Sequence, residues 1–169
     1  GKWILTNYIG IGGWMHTDCA LVKADGSGEV INLTESGYND TEGKFVLGGK
    51  AILFRSDRAG YRSHGSWGAQ KDLYLMFLDR EAFEDFKLSK EERELQKELK
   101  DLGKKDTSST DKKDSKKGKK DKKDEEKKDT KPFTPDFTDR EDRVIRLTSA
   151  SGSVSDALIN NDGSKLYYI

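Results

Sequence analysis

One cysteine in 169 residues, Cys19, leaves no internal disulfide to form and excludes zinc sites built on cysteine. Cys19 stands inside an apolar run, where a small buried side chain is the expected role. Histidine is nearly as scarce. His16 and His64 are far apart and lack paired carboxylates nearby, so neither a metal nor a cofactor is expected. No run of 18 apolar residues exists to form a membrane-spanning helix, and no signal-peptide pattern precedes Gly1. The chain opens and closes in what read as strands, so it is expected to be an excised piece of a longer protein.

Net charge is absent as well, but only in the total. Lys and Arg number 31, as do Asp and Glu, and charged residues make up 37% of the chain against 33% hydrophobic, a poor ratio for one well-filled core. From Gly103 to Lys131, 13 Lys face 8 Asp and Glu, a surplus of 5 that the remainder offsets with a deficit of 5. This tract cannot bury enough apolar surface to offset the entropy of ordering it, and residues 104–131 are expected to be disordered. Its lysines alternate with acids and carry no interleaved arginine or aromatic, which favours a solvated spacer over a nucleic-acid or membrane-surface site.

What is present is a degenerate repeat. Gly1-Lys2-Trp3-Ile4-Leu5-Thr6 is echoed by Gly49-Lys50-Ala51-Ile52-Leu53-Phe54 and by Asp162-Gly163-Ser164-Lys165-Leu166-Tyr167. Val30-Ile31-Asn32-Leu33-Thr34 is echoed by Val144-Ile145-Arg146-Leu147-Thr148, and Asp18 and Asp72 each open an apolar run. A unit of about 45 residues with several short strands is the pattern of a propeller blade, because one small sheet cannot cover both its faces and must stack on a neighbour. The expected fold is therefore all-β: a fragment of a β-propeller of about two to three blades, with a helical insertion and a disordered Lys-rich linker.

Strands are expected over 2–8, 19–24 and 29–34, with Asp25-Gly26 as a hairpin signal, then over 44–47, 50–55 and 73–78. The fourth strand of this second blade does not follow. Residues 80–142 intervene before Val144 restores the pattern, dividing the chain into propeller blades over 1–79, an insertion over 80–142 and a resumed blade over 143–169. Within the insertion Ser89-Lys90-Glu91-Glu92 fits a capping box, Leu95, Leu99 and Leu102 recur at helical spacing, and Gly103 stands where a left-handed cap ends a helix, giving a helix over about 89–102. Phe83 and Phe86 are expected to anchor its start, and Pro132 to Phe137 to dock two aromatics on the body. Gly10-Ile11-Gly12-Gly13 lacks the lysine and helix of a phosphate loop and reads as a plain turn. The sequons at Asn32 and Asn39 read as chance.

These markers, Asp162-Gly163 before a strand, Asp72-Leu73-Tyr74, and Leu33-Thr34 or Leu147-Thr148 closing a unit, resemble the repeats of TolB-like and tricorn-type propellers. The stretch from Phe54 to Gly68, with Asp72-Leu73-Tyr74 and Phe86 to Glu92 after it, is similar to the N-terminal propeller of tricorn-like serine proteases of Bacteroidetes. The resemblance covers roughly Gly1 to Leu102 and Arg140 to Ile169. It implies a non-catalytic propeller portion that gates or orients peptide substrates, a periplasmic location, and a peptidase centre in later domains whose motifs this chain lacks. TolB-like protein-binding propellers and those of prolyl oligopeptidase-type peptidases share the blade markers and stay open as alternatives.

The connection from Ser56 to Lys71 is long for a propeller, and long loops are where function concentrates. Ser63, Ser66, His64 and Asp57 supply the residue types of a hydrolytic triad, but a glycine-rich loop offers neither rigid presentation nor an oxyanion pocket, so no catalytic residue is expected. Arg58, Arg62, His64 and Trp67 are the candidates for lining a peptide path, set against plain loop packing. The expected partners are peptides, the remainder of a parent protease, or a second copy meeting this one through exposed blade edges.

Overall fold

A computed structural model describes residues 1–10, 13, 16–62, 68–106 and 133–169. The chain divides into two compact units, one of Gly1–Phe83 with Phe133–Ile169 and one of Glu84–Pro132. The division falls inside the expected insertion, because residues 133–142 belong to the body.

The larger unit holds three antiparallel sheets in chain order. β1 (Trp3–Tyr8), β2 (Asp18–Lys23) and β3 (Val30–Asn32) form the first. The second is the four-stranded meander β4 (Thr41–Val46), β5 (Ala51–Ser56), β6 (Asp72–Phe77) and β7 (Val144–Arg146), and β8 (Ala157–Ile159) with β9 (Leu166–Tyr168) makes the third. The insertion thus separates two hydrogen-bonded neighbours, with Leu75 still opposite Ile145. Register makes the echoed phrases of β1 and β5 equivalent, since Leu5 lies opposite Leu21, three residues past Asp18, and Leu53 opposite Leu75, three past Asp72; the first sheet thus begins one strand later than the second.

Burial follows from the layering. Along β1 residues alternate between half-buried and exposed as far as Leu5, the pattern of a sheet covered on one face, whereas all six residues of β6 are buried. Ile52 and Phe54 of β5, with Tyr74 and Met76 opposite them, face Cys19, Leu21 and Leu33 of the first sheet. The alternate positions Leu53 and Leu73 lie beside Ala157 of the third sheet. Fully burying side chains of this size contributes about 1.5–3 kcal/mol each, so the second sheet, covered on both faces, holds most of the core energy. Gly43 permits the close approach of β4 to the first sheet, since a Cβ there would stand 3.1 Å from both the Cys19 Sγ and a Leu5 methyl.

The segment returning from the insertion straps the first two sheets together. Phe133 and Phe137 pack on the core, as their sequence suggests, with the Phe137 ring edge-on to Trp3 at 5.9 Å. Arg140 donates to the carbonyls of Asn32 and Leu33, each at 2.7 Å. Arg143, almost wholly buried, donates to the carbonyls of Phe77 at 3.0 Å and Asp136 at 2.6 Å. A buried guanidinium is tolerated because its donors are met by carbonyls and by the Asp136 carboxylate.

Two helices follow β6. α1 (Arg80–Lys87), which no expectation covered, starts at Asp79, whose carboxylate accepts the Ala82 amide at 2.7 Å, and Phe83 on it meets the Phe77 ring at 5.6 Å. α2 (Lys90–Asp106) has the expected capping box: the Ser89 amide donates to Glu92 Oε2 at 2.8 Å and the Glu92 amide to Ser89 Oγ at 3.2 Å. It does not end at Gly103. A glycine in a helix interior costs only about 1 kcal/mol relative to alanine, and the helix continues to Asp106. Leu95, Leu99 and Leu102 remain more than half exposed along it. The expected disorder over 104–131 falls, beyond Asp106, outside the described residues. Among the described residues no helix is long and apolar enough to cross a membrane.

Candidate functional site

The repeated Asp and Leu-Thr markers meet in space. Asp18 opens β2, and its buried carboxylate accepts the Thr34 hydroxyl at 3.0 Å, the Ser36 amide at 2.9 Å and the Asn32 side-chain amide at 2.8 Å. Asp72 opens β6 and accepts the Thr148 hydroxyl at 2.6 Å, the Ser151 hydroxyl at 2.7 Å and Arg146 at 2.9 Å. In each case the threonine hydroxyl also accepts the amide after the aspartate, from Cys19 at 3.1 Å and from Leu73 at 3.3 Å. The leucine amide donates to the carbonyl of that same residue at 2.8 Å in both. Each latch fixes the point where the chain leaves one sheet for the next. Burial raises the Asp72 carboxyl, and the bonds from Thr148, Ser151 and Arg146 outweigh it, holding the group below its ordinary value.

The latches set one end of the sheet stack. The approach to β2, the link from β3 to β4, the connection from β5 to β6 and the link from β7 to β8 all lie at this end. The long β5–β6 connection is a hairpin extension, since Arg62 bridges Ala69 and the Gln70 amide donates to the Tyr61 carbonyl at 2.9 Å. Gly60 makes this possible. A Cβ at that position would come within 1.9 Å of the Gln70 carbonyl oxygen.

Arg58 is turned inward. It pairs with the fully buried Asp40 at 2.7 Å, donates to Ser56 Oγ at 2.9 Å, and lies 5.0 Å from the Tyr74 ring centre and 5.6 Å from those of Phe54 and Tyr38. Its donors and faces are engaged at the edge of the core. Arg62 is different. It pairs with Asp57 at 3.1 Å, lies 4.8 Å from the Tyr38 ring centre, and remains partly open to solvent. His64 and Trp67, with Ser63 and Ser66, lie outside the described residues. Asp57 is engaged by Arg62 at 3.1 Å and by the Asn39 amide at 2.9 Å.

Beside Arg62 is a cavity of about 280 Å³ lined by His16, Asn39, Asp57, Gly68, Ala69 and Lys71. Lys71 carries its second positive charge and was not foreseen, because a lone lysine at the mouth of a strand reads as a solvated side chain. The available signal was its place, last in the long connection and directly before the Asp72 marker. Its ammonium donates to Thr41 Oγ1 at 3.0 Å; burial and the neighbouring Arg55 hold it below its ordinary value, while Asp57 and Asp40 act the other way. Asn39 directs its side-chain oxygen to the Thr17 hydroxyl at 2.9 Å, leaving its amino group as a donor. Asn32 and Asn39, the two sequon residues, are both engaged within the fold.

Cys19 is buried beneath this end, and burial with the nearby Asp40 charge pushes its thiol up to about 12, so it stays protonated and serves packing. Among the described residues no three His, Cys, Asp or Glu side chains are grouped to hold a metal. No family model, curated protein or solved structure matches the chain.

Proposed function

We propose that this chain is part of the β-propeller of a tricorn-like serine protease, a non-catalytic portion that restricts and orients peptides for a centre in other domains of the bacterial periplasmic enzyme. The observation that carries this reading is the pair of latches at Asp18 and Asp72, closing two successive sheets in the same way, with a third sheet following in the same order. Sheets related in this manner and buried against one another are what a ring of blades requires. A closed ring leaves an axial channel, and a channel admits only unfolded or short peptides.

Further support comes from what the outermost sheets present. Ile4 and Val30 on the first, and Leu158 and Tyr167 on the third, are 43–64% exposed on the faces turned away from the second sheet. Apolar faces of this kind are covered by adjoining blades in a complete propeller, or by a second copy when the piece stands alone. The encoded polypeptide beyond Ile169 tests the proposal. Further blades followed by a PDZ-like stretch and a serine-peptidase core support it; an end after the last blade makes the chain a TolB-like binding propeller, and a Gly-x-Ser-x-Gly elbow makes it a prolyl oligopeptidase relative.

A further inference from the structure

We infer that the leucine stripe of α2 is an interface for a second copy of this chain, the two helices pairing antiparallel. This interface lies on the smaller unit and is independent of the peptide-gating reading.

Leu95, Leu99 and Leu102 follow one another at intervals of four and three residues, so they share one face of the helix, and each is 57–59% exposed. The same alternation of four and three makes the seam of a coiled coil, in which leucines of two helices interlock. The preceding helix does not cover this face. Arg93, which donates to the carbonyls of Phe86 at 3.5 Å and Leu88 at 3.2 Å, stands on the far side of α2, about 160° around the axis from Leu95.

Charge selects the partner. Lys90–Asp106 holds six acidic and six basic residues, so the helix has no net charge with which to draw an anionic membrane, a nucleic acid or a strongly charged protein. Its charge is divided by end instead. From Glu91 to Glu94 three Glu stand against one Arg, and from Gly103 to Asp106 two Lys stand against one Asp. Such a helix is complementary to itself turned round. An antiparallel pair sets Leu95 against the second copy's Leu102 and Leu99 beside its own counterpart, and it brings the acidic end of each helix to the basic end of the other. The helix dipoles then oppose as well. A parallel pair would lay like charge on like.

The stripe runs about 10 Å along the axis, and three leucines a side bury well under the about 1,200 Å² of a stable complex. The pair therefore forms as concentration rises and is not permanent.

Disulfide trapping in the full 169-residue chain tests the interface, because Cys19 is buried with its thiol protonated and an introduced cysteine is the reactive one. Every variant also carries Ile4→Lys and Tyr167→Lys, which block association through the outer sheet faces. In a glutathione buffer Leu99→Cys is expected to bridge to itself at least about tenfold faster than Lys97→Cys on the opposite face, as read by mass spectrometry of the bridged peptides. Leu95→Cys is expected to bridge to Leu102→Cys, when the two are mixed, faster than to itself. Without introduced cysteines, sedimentation equilibrium is expected to give a monomer–dimer equilibrium that Leu95→Lys with Leu99→Lys weakens at least about tenfold. Circular dichroism is expected to show the helix retained, since lysine forms helix nearly as well as leucine; if it is lost, the trapping rates decide. Equal trapping at positions 97 and 99, fastest trapping of Leu95→Cys with itself, a dimer untouched by the two lysines, or a monomer at millimolar concentration overturns the antiparallel pair. None of these outcomes bears on the blade reading, because both outer faces are blocked throughout.

Discussion

The first and second sheets are closed by matching aspartate–threonine latches, yet they differ in the chain between the latch partners and in what covers their faces. Thr34 follows Asp18 by 16 residues and Thr148 follows Asp72 by 76, while the donor distances remain 3.0 Å and 2.6 Å. The contact, not the spacing, is what repeats. Sixty additional residues between β6 and β7 leave the corner unchanged because loop-closure entropy grows only slowly with length, by about 0.6 kcal/mol per doubling. Coverage differs more than closure does: β6 is buried at every position, and β1 keeps Ile4 more than half exposed.

That contrast is broken most sharply by truncation. Phe54→Ala, at a fully buried position, is expected to cost about 3–5 kcal/mol in urea unfolding, and Ile4→Ala on the outer face of the first sheet less than about 0.5 kcal/mol. Comparable losses would mean that the first sheet is also covered on both faces. Removing either latch comes next. Asp72→Ala strands the Thr148 and Ser151 hydroxyls, and Asp18→Ala the Thr34 hydroxyl and Asn32 amide, so each is expected to cost about 2–4 kcal/mol. A latch in one sheet without effect on stability would end the equivalence.

Acid separates the latch from general charge effects. The folded Asp72 carboxyl lies below its ordinary value, so its contribution is fully present above that ordinary value and is lost as pH falls through the folded one. Asp72→Asn is accordingly expected to flatten the acid limb of a stability profile measured below about pH 4, the ordinary range of aspartate. The smallest effect is expected from the insertion. Replacing residues 84–132 by a Gly-Ser linker of equal length should change the stability of the larger unit by less than about 1 kcal/mol, measured by the same unfolding curves.

Much of this was legible in the sequence, for identifiable reasons. Asp18, Asp72 and the two Leu-Thr pairs stood out because one hydrogen-bond geometry needs those side chains at each corner. The continuous apolar run Leu73 to Phe77 announced a strand, and Ser89 with Glu92 announced a helix start. Other features depend on distant partners that no local pattern shows. Arg58, a candidate for a peptide path, is drawn inward by Asp40 and three aromatic rings contributed by two strands and a link. Arg140 and Arg143 sit in a charged stretch that reads as solvated, yet they cap carbonyls of β3 and β6 and of the segments adjoining them. Lys71 acquires meaning only once the fold of its own connection brings Asp57 and Arg62 beside it and the β3–β4 link adds Asn39. The end of α2 was misplaced because a glycine signals a cap only when the following residues gain more by leaving the helix than by staying in it.

Light scattering coupled to size-exclusion chromatography, run over a concentration series of this 169-residue chain, bears most directly on whether these sheets are successive blades of a larger ring. Self-association that strengthens with concentration, and weakens when Ile4→Lys and Tyr167→Lys place charge on the two outer faces, is the predicted result. A stable monomer at the highest concentration would contradict it.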